Sequence, residues 1–274
     1  MDTFPEAAGR ACVVTGANQG IGYEIARALA ASGARVTMIA RDAERGERAA
    51  RALRDETGSE GVELLVGDLG RPGEVRRLAA ALAGRHEHLD ALVNNAGVVL
   101  DLREETPDGI ERTWAVNVLA YHLLAALCLP LLRRSRAGRI VNVASMYAGG
   151  LDLDDVEFRR RCFRGLDAYA QSKQANRMLT WALARRLDKS SVTANAMHPG
   201  AVATQLLRKG FGSMGGRTPE QGADTAAWLA ASDEAAGKSG RFFVDRAERS
   251  CQFHDEAQEE RLAALCDRMT GLAD

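Results

Sequence analysis

Five short apolar runs recur along the first half of the chain, at Ala11–Val14, Val36–Ala40, Val62–Val66, Leu89–Val93 and Ile140–Val143, and a longer amphipathic stretch separates each from the next. Runs of this length and β-branched content suit strands covered on both faces, and parallel strands need connectors of a dozen or more residues, usually helices. The β-α-β-α order therefore predicts an α/β fold with a doubly wound parallel sheet. Further along, the pattern predicts a helix from Tyr169 to about Leu187, a strand near Val192–Ala196, a helix from Pro219 to about Ala231 and a short strand at Arg241–Val244. That makes about seven strands with helices on both faces. The 274 residues contain no repeat and no proline- or serine-rich linker, so a single domain is expected.

The turn after the first run is the next constraint. Gly16, Gly20 and Gly22 lie in Thr15-Gly16-Ala17-Asn18-Gln19-Gly20-Ile21-Gly22, between the first strand and the first helix. A backbone there must turn sharply and let a pyrophosphate approach helix-terminal N–H groups. Glycines also end strands in many unrelated turns; the strand-to-helix context is what makes these a dinucleotide signal. The second strand ends at Ala40-Arg41-Asp42, where an NAD-specific protein would place an acid on the ribose 2′-hydroxyl. Arg41 instead suits the 2′-phosphate of NADP by its charge and forked donors, the alternative being a solvated arginine paired with Asp42 or Glu44. Asp68 and Leu69 follow the third strand, a place for contacts to the adenine edge, and Asn95, Ala96 and Gly97 end the fourth with small residues that allow close approach.

Tyr169 and Lys173 stand four residues apart, about one helical turn, so a helix sets phenol and ammonium on one face. A free tyrosine, with a pKa near ~10, is a poor acid-base catalyst at neutral pH, and a neighbouring cation stabilises its phenolate. The pair reads as a proton donor beside a dinucleotide site, although the same spacing on a surface helix carries no function.

Thirty-six basic against 37 acidic residues leave a formal charge of −1, which points to neither a nucleic acid nor a charged membrane as partner. No basic segment precedes an apolar run with a cleavage site, and no apolar stretch approaches the roughly 20 residues that span a bilayer. The expectation is a soluble, cytoplasmic protein without a membrane partner. The five cysteines are scattered without C-x-x-C spacing, as reduced thiols are. His198 lacks ligand-spaced partners, so no metal is expected.

Together, Thr-Gly-x-x-x-Gly-Ile-Gly, Asn-Asn-Ala-Gly, a helix asparagine, a serine after the fifth strand and Tyr-x-x-x-Lys resemble the short-chain dehydrogenase/reductase family over nearly the whole chain. Further likeness to its retinol-dehydrogenase-like branch runs through Tyr169–Asn176, His198–Thr204, Thr218–Gly222 and Ser239–Asp245. The resemblance implies a Rossmann-type domain, NADP (NADPH) as cofactor, a small-molecule carbonyl or alcohol substrate of lipophilic character, and Asn117, Ser145, Tyr169 and Lys173 as the catalytic set. On that reading Tyr169 protonates the developing alkoxide and Ser145 hydrogen-bonds the same oxygen. Lys173 lowers the phenol pKa and holds ribose hydroxyls, while Asn117 holds a water that links Lys173 to solvent.

Past the sixth strand, Pro199, Gly200, Val202 and Thr204 are expected to touch the cofactor. The glycine-rich region 202–216, with Leu207 and Phe211, reads as a substrate lid or as an ordinary surface loop. Tyr147, just past Ser145, is a further substrate contact, and 151–163 is an insertion that either shapes the pocket or is a surface excursion. Family members often pair through the helices bearing Asn117 and Tyr169, which implies a homodimer or homotetramer; the segment Asp255–Asp274 covering that surface is the other possibility. Two rival functions use the same scaffold: a non-catalytic NADP-binding regulatory protein, and a dehydratase or epimerase.

Overall fold

The computed structural model describes residues 3–187, 190–212 and 216–272. In chain order the main elements are β1 (Ala11–Thr15), α1 (Gly20–Ala31), β2 (Arg35–Ala40), α2 (Ala43–Thr57), β3 (Val62–Val66), α3 (Pro72–Arg85), β4 (Ala91–Asn94), α4 (Arg112–Leu132), β5 (Gly138–Val143), α5 (Gly165–Arg186), β6 (Val192–His198), α6 (Gln205–Phe211), α7 (Pro219–Ala231), β7 (Phe242–Val244), β8 (Ala247–Arg249) and α8 (Glu256–Thr270). Among the described residues they form one sheet in the order β3-β2-β1-β4-β5-β6-β7-β8. The pairs from β3 through β7 are parallel and β8 is antiparallel to β7. The expected doubly wound sheet is present with one strand more than the sequence suggested. The extra strand, Ala-Glu-Arg, is exposed throughout and has no apolar run to announce it.

The sheet is buried on both sides. In β1, Cys12 and Val14 point into a core with Ile25, Leu29, Leu53 and Trp228, while Val13 joins Ile39, Leu78, Leu82 and Leu123 on the opposite face. Local signals fix the connections. Asp42 caps α2 by accepting from Arg45 N at 2.9 Å, Gly58 ends that helix at φ 65°, and Thr218 with Gln221 forms a capping box on α7.

Helix α4 is a run of 21 residues whose most apolar 18-residue stretch has a mean hydropathy of 2.0, long and apolar enough by length and composition to cross a membrane; 67% of that stretch is buried inside the fold. A π turn interrupts it at Ala115–Leu119, around Asn117. The C-terminal helix α8 lies along α5 and α4, tied by Arg185–Glu259, by Arg186–Glu260 at 2.8 Å and by His122–Asp267 at 2.6 Å. It thus packs on the helices that bear Asn117 and Tyr169.

Strand order reverses between β1 and β4, so the loops leaving their carboxyl ends diverge and open a crevice there.

Candidate active site

A cleft of about 780 Å³ fills that crevice. Its floor is the glycine turn. Gly16 sits at φ 65°, and a Cβ on it would lie 2.9 Å from Ala96 Cα. On Gly22 a Cβ would meet Gly16 O at 2.3 Å, so these two positions exclude a side chain. Thr15 Oγ1 accepts from Asn95 N at 2.9 Å and Ala96 N at 3.0 Å, and Asn95 Nδ2 donates to Thr15 O at 2.9 Å. The two loops thereby brace each other beneath the N-terminus of α1.

Asn18, Gln19, Gly20 and Ile21 line the cleft with Asp68, Leu69, Ala96 and Gly97. Asp68 shapes its own turn, accepting from Gly70 N at 2.9 Å. At the outer end Arg41 is exposed and pairs with neither Asp42, which is committed to its cap, nor Glu44, which is bonded to Arg48. Arg45 joins Arg41 in the lining, and Arg208 reaches it from α6. Neither was singled out from the sequence. The position of Arg45 one turn into α2 was the available clue; that of Arg208 depended on how α6 folds back.

The inner end holds Tyr169 and Lys173, on one face of α5 as their spacing required. Burial pushes the Tyr169 phenol up to about 12, against a hydrogen bond with Ser145 that pulls it down. Burial lowers Lys173 to about 7. Its Nζ donates to Val143 O at 2.8 Å and sits 5.5 Å from the ring centroids of both Tyr121 and Tyr169. The ammonium is directed at a strand carbonyl, and desolvation disfavours the charged form of both groups.

The Asn117 side chain is bonded to protein groups. Oδ1 accepts from Val98 N at 2.8 Å, and Nδ2 donates to Val98 O at 3.0 Å and Ser172 Oγ at 3.1 Å, so the amide is committed to protein. It fixes the segment following Gly97 to the Lys173 helix. The π turn at this residue staggers the helical ladder and loosens backbone carbonyls from their usual donors, a feature common at functional sites.

Aromatic rings gather beside Tyr169. The ring of Phe211, at the end of α6, meets Tyr169 edge-on at 5.6 Å and Tyr147 at 5.1 Å. Thr204 caps α6, and the segment's two ends are held together where Ala203 N donates to Arg217 O at 2.9 Å. Tyr147 and Gly210 also line a smaller hollow with Val99, Leu100 and Leu166. Pro199 and Thr204 reach the main cleft; Gly200, Val202 and Leu207 are not among its lining residues. Gly200 lies under the Arg217 side chain, and Val202 packs where a Cβ on Gly222 would collide with it at 2.5 Å. Met214, at the tip of the expected lid, lies outside the described residues. Residues 151–163 line neither hollow; their loop is organised around Asp155, whose carboxylate accepts from the backbone N–H of Arg159, Arg160 and Arg161.

The short chain dehydrogenase family model matches residues 10–212. Human retinol dehydrogenase 13 is 36% identical, with 96% of this chain and 85% of the relative covered, and mouse polyprenol dehydrogenase is 38% identical, with 98% and 86% covered. Among solved structures, an uncharacterized protein from Mycobacterium Paratuberculosis superposes with a TM-score of 0.81 at 33% identity, covering 98% of this chain and 96% of the other. A short chain dehydrogenase from Escherichia coli CFT073, complexed with NADPH, does so with a TM-score of 0.72 at 28% identity, covering 87% and 98%. The chain belongs to the short-chain dehydrogenase family, in its retinol-dehydrogenase-like branch, and is an oxidoreductase acting on small molecules.

These findings correct the cytoplasmic assignment. It rested on the absence of any apolar stretch near 20 residues, whereas α4 has such length and composition, and the relatives are dehydrogenases named for retinol and polyprenol, both poorly soluble alcohols.

Proposed function

We propose that this oxidoreductase interconverts a lipophilic alcohol and its ketone or aldehyde, with NADP(H) as cofactor and Tyr169 as acid and base. The observation that carries the reading is the meeting, in one cleft, of a glycine cradle that a single Cβ would fill, two arginines at its outer end and the buried Tyr169–Lys173 pair at its inner end. The cradle fits a dinucleotide pyrophosphate, and Arg41 with Arg45 fits a 2′-phosphate better than a free hydroxyl. When bound, NADP(H) supplies or accepts the hydride.

The chain's own residues handle the proton. With its pKa near 12, Tyr169 is protonated at neutral pH and donates from Oη to the oxygen of a carbonyl being reduced. Ser145 Oγ hydrogen-bonds the same oxygen, where charge develops. Lys173, lowered to about 7, holds ribose hydroxyls and carries a proton that it can pass on near neutrality. Asn117 pins residue 98 to the Lys173 helix, and the π turn offers backbone carbonyls for a water that reconnects Lys173 to solvent. Oxidation runs these roles backwards.

Phe211 and Tyr147 wall the substrate side, with α6 and the rest of 202–216 as the lid; an apolar wall and the relatives named for retinol and polyprenol support a lipophilic substrate. Light scattering tests the homodimer or homotetramer: pairing through α4 and α5 would displace α8 and its ion pairs. The function is tested by NADPH consumption with product mass over aliphatic, prenyl and aromatic aldehydes and ketones. Oxidation of NADPH with products two hydrogens heavier is expected. Tight NADPH binding without turnover, or products of unchanged oxidation state, would refute it.

A further inference from the structure

One turn past Lys173 on α5 lies a buried cation that the reaction above does not use. Arg177 is 4% exposed, and its guanidinium stacks 3.8 Å from the ring centroid of Phe242 and 5.4 Å from that of Phe253. Its polar partners are neutral. Nη1 lies 3.3 Å from Cys251 Sγ, and Nη2 donates to the main-chain carbonyl of Ser145 and lies 3.8 Å from Met146 Sδ. Nε is buried without a partner. A buried charge that lacks a counter-ion is costly, and a methionine or leucine would fill the same aromatic slot at lower cost. What the arginine adds is a charge-assisted hydrogen bond to one particular carbonyl, that of Ser145.

The same peptide unit is gripped from its other side, at the N–H. Met146 N donates to His198 Nδ1 at 3.1 Å, and Tyr147 N donates to Ser145 Oγ at 3.0 Å. His198 can accept at Nδ1 only while that nitrogen is unprotonated. The groups that face it are Arg177 from α5, Arg217 from the end of the lid and Asp245 from the β7–β8 turn. Burial, then Arg177 and Arg217, hold His198 down to about 4 against the opposing Asp245. Arg177 therefore acts twice, directly on the Ser145 carbonyl and through the neutrality of the imidazole that takes Met146 N–H.

We propose that Arg177 and His198 are positioning residues that clamp the Ser145–Met146 backbone, one by a buried cation and one by a neutral imidazole, so that Ser145 Oγ is presented toward Tyr169. The clamp also joins the C-terminal segment bearing Cys251 and Phe253 to the site. The proposal rests on the assignment of Ser145 to the substrate oxygen.

The test uses the full-length protein with Arg177→Met and Arg177→Lys, reading kcat and KM for a carbonyl substrate, NADPH affinity, the pH profile and the imidazole titration of His198 by NMR. Arg177→Met is expected to lower kcat by about 10- to 100-fold with NADPH affinity within about twofold, the scale of one charged hydrogen bond. His198 should titrate above its wild-type value, by the part of the lowering that Arg177 causes. The acid limb of kcat should rise with it, because protonation as pH falls turns Nδ1 from acceptor to donor and releases Met146 N–H. Arg177→Lys, which restores the charge, should recover most of the rate and return His198 downward. Should Arg177→Met fail to fold, Arg177→Gln keeps amide donors without the charge and carries the same His198 prediction. Unchanged kcat and unchanged His198 titration would overturn the clamp, as would a rate loss that Arg177→Lys does not repair with the acid limb unmoved. A wild type inert toward every carbonyl would refute the proposed function instead, while the His198 titration, read without turnover, still decides the clamp's electrostatic half.

Discussion

The two ends of the cleft are built in different ways. The cofactor end is made of backbone: Gly16 and Gly22 have no room for a Cβ, Thr15 and Asn95 tie two strand ends together, and the first turn of α1 presents its free N–H groups. The inner end draws on side chains from distant parts of the chain: Tyr169 on α5 lines the cleft, Phe211 on α6 meets it edge-on and also meets Tyr147 after β5, and Arg177 and His198 hold the backbone at Ser145 and Met146. A ligand shared by many proteins can be held by a turn that tolerates no variation. A ligand peculiar to one protein needs surfaces that can vary independently.

That contrast explains what was legible in the sequence. Steric exclusion leaves a local mark, so the glycine turn, the cleft-lining residues Asp68 and Ala96 and the Tyr169–Lys173 face could be read from spacing together with their places after the predicted strands and on the predicted helix. The strands could be read because a sheet buried on both faces needs continuous apolar runs; β8, exposed and three residues long, had none. Contacts formed by folding back left no local mark. Nothing near Arg177 in the chain points to Ser145, 32 positions earlier, and the arrival of Arg208 at the cleft depends on the course of α6. Gly200 and Val202 look like cofactor contacts by position, yet their neighbours are Arg217 and Gly222. The apolar helix α4 was overlooked because Asn117, Tyr121 and His122 interrupt the apolar run in a linear reading, although its mean hydropathy over 18 residues is high.

Substitutions at the two ends should separate the contrast, beginning with the largest effect. Gly22→Val should lower NADPH affinity at least about tenfold and cost about 1–3 kcal/mol of stability, because its side chain would meet a backbone oxygen that cannot yield. Isothermal titration and thermal unfolding read both, and a variant that binds NADPH normally would show the turn to be adaptable. Arg41→Ala should weaken NADPH by about 10- to 100-fold, and Arg45→Ala somewhat less, with NADH nearly unchanged. Equal losses for both cofactors would remove the 2′-phosphate role. Phe211→Ala should raise KM several-fold for bulky substrates and little for small ones, while leaving NADPH affinity alone; a flat response across substrate size would detach α6 from recognition. The smallest effect concerns pH. His198 is held below its ordinary value, so the unfolded chain binds its proton first as pH falls, and the stability this residue contributes above pH 6.5 should decline toward pH 4. Urea unfolding of His198→Gln, which lacks the titration, should show a shallower decline over that window.

The central claim is that Tyr169 transfers the proton in an NADP-dependent redox reaction, and Tyr169→Phe tests it most directly. Turnover with the best carbonyl substrate and NADPH affinity are measured on the same preparation. kcat is expected to fall by about 10²- to 10⁴-fold, the usual contribution of a positioned acid, with NADPH affinity preserved within about twofold. A variant that keeps turning over at the wild-type rate would contradict it.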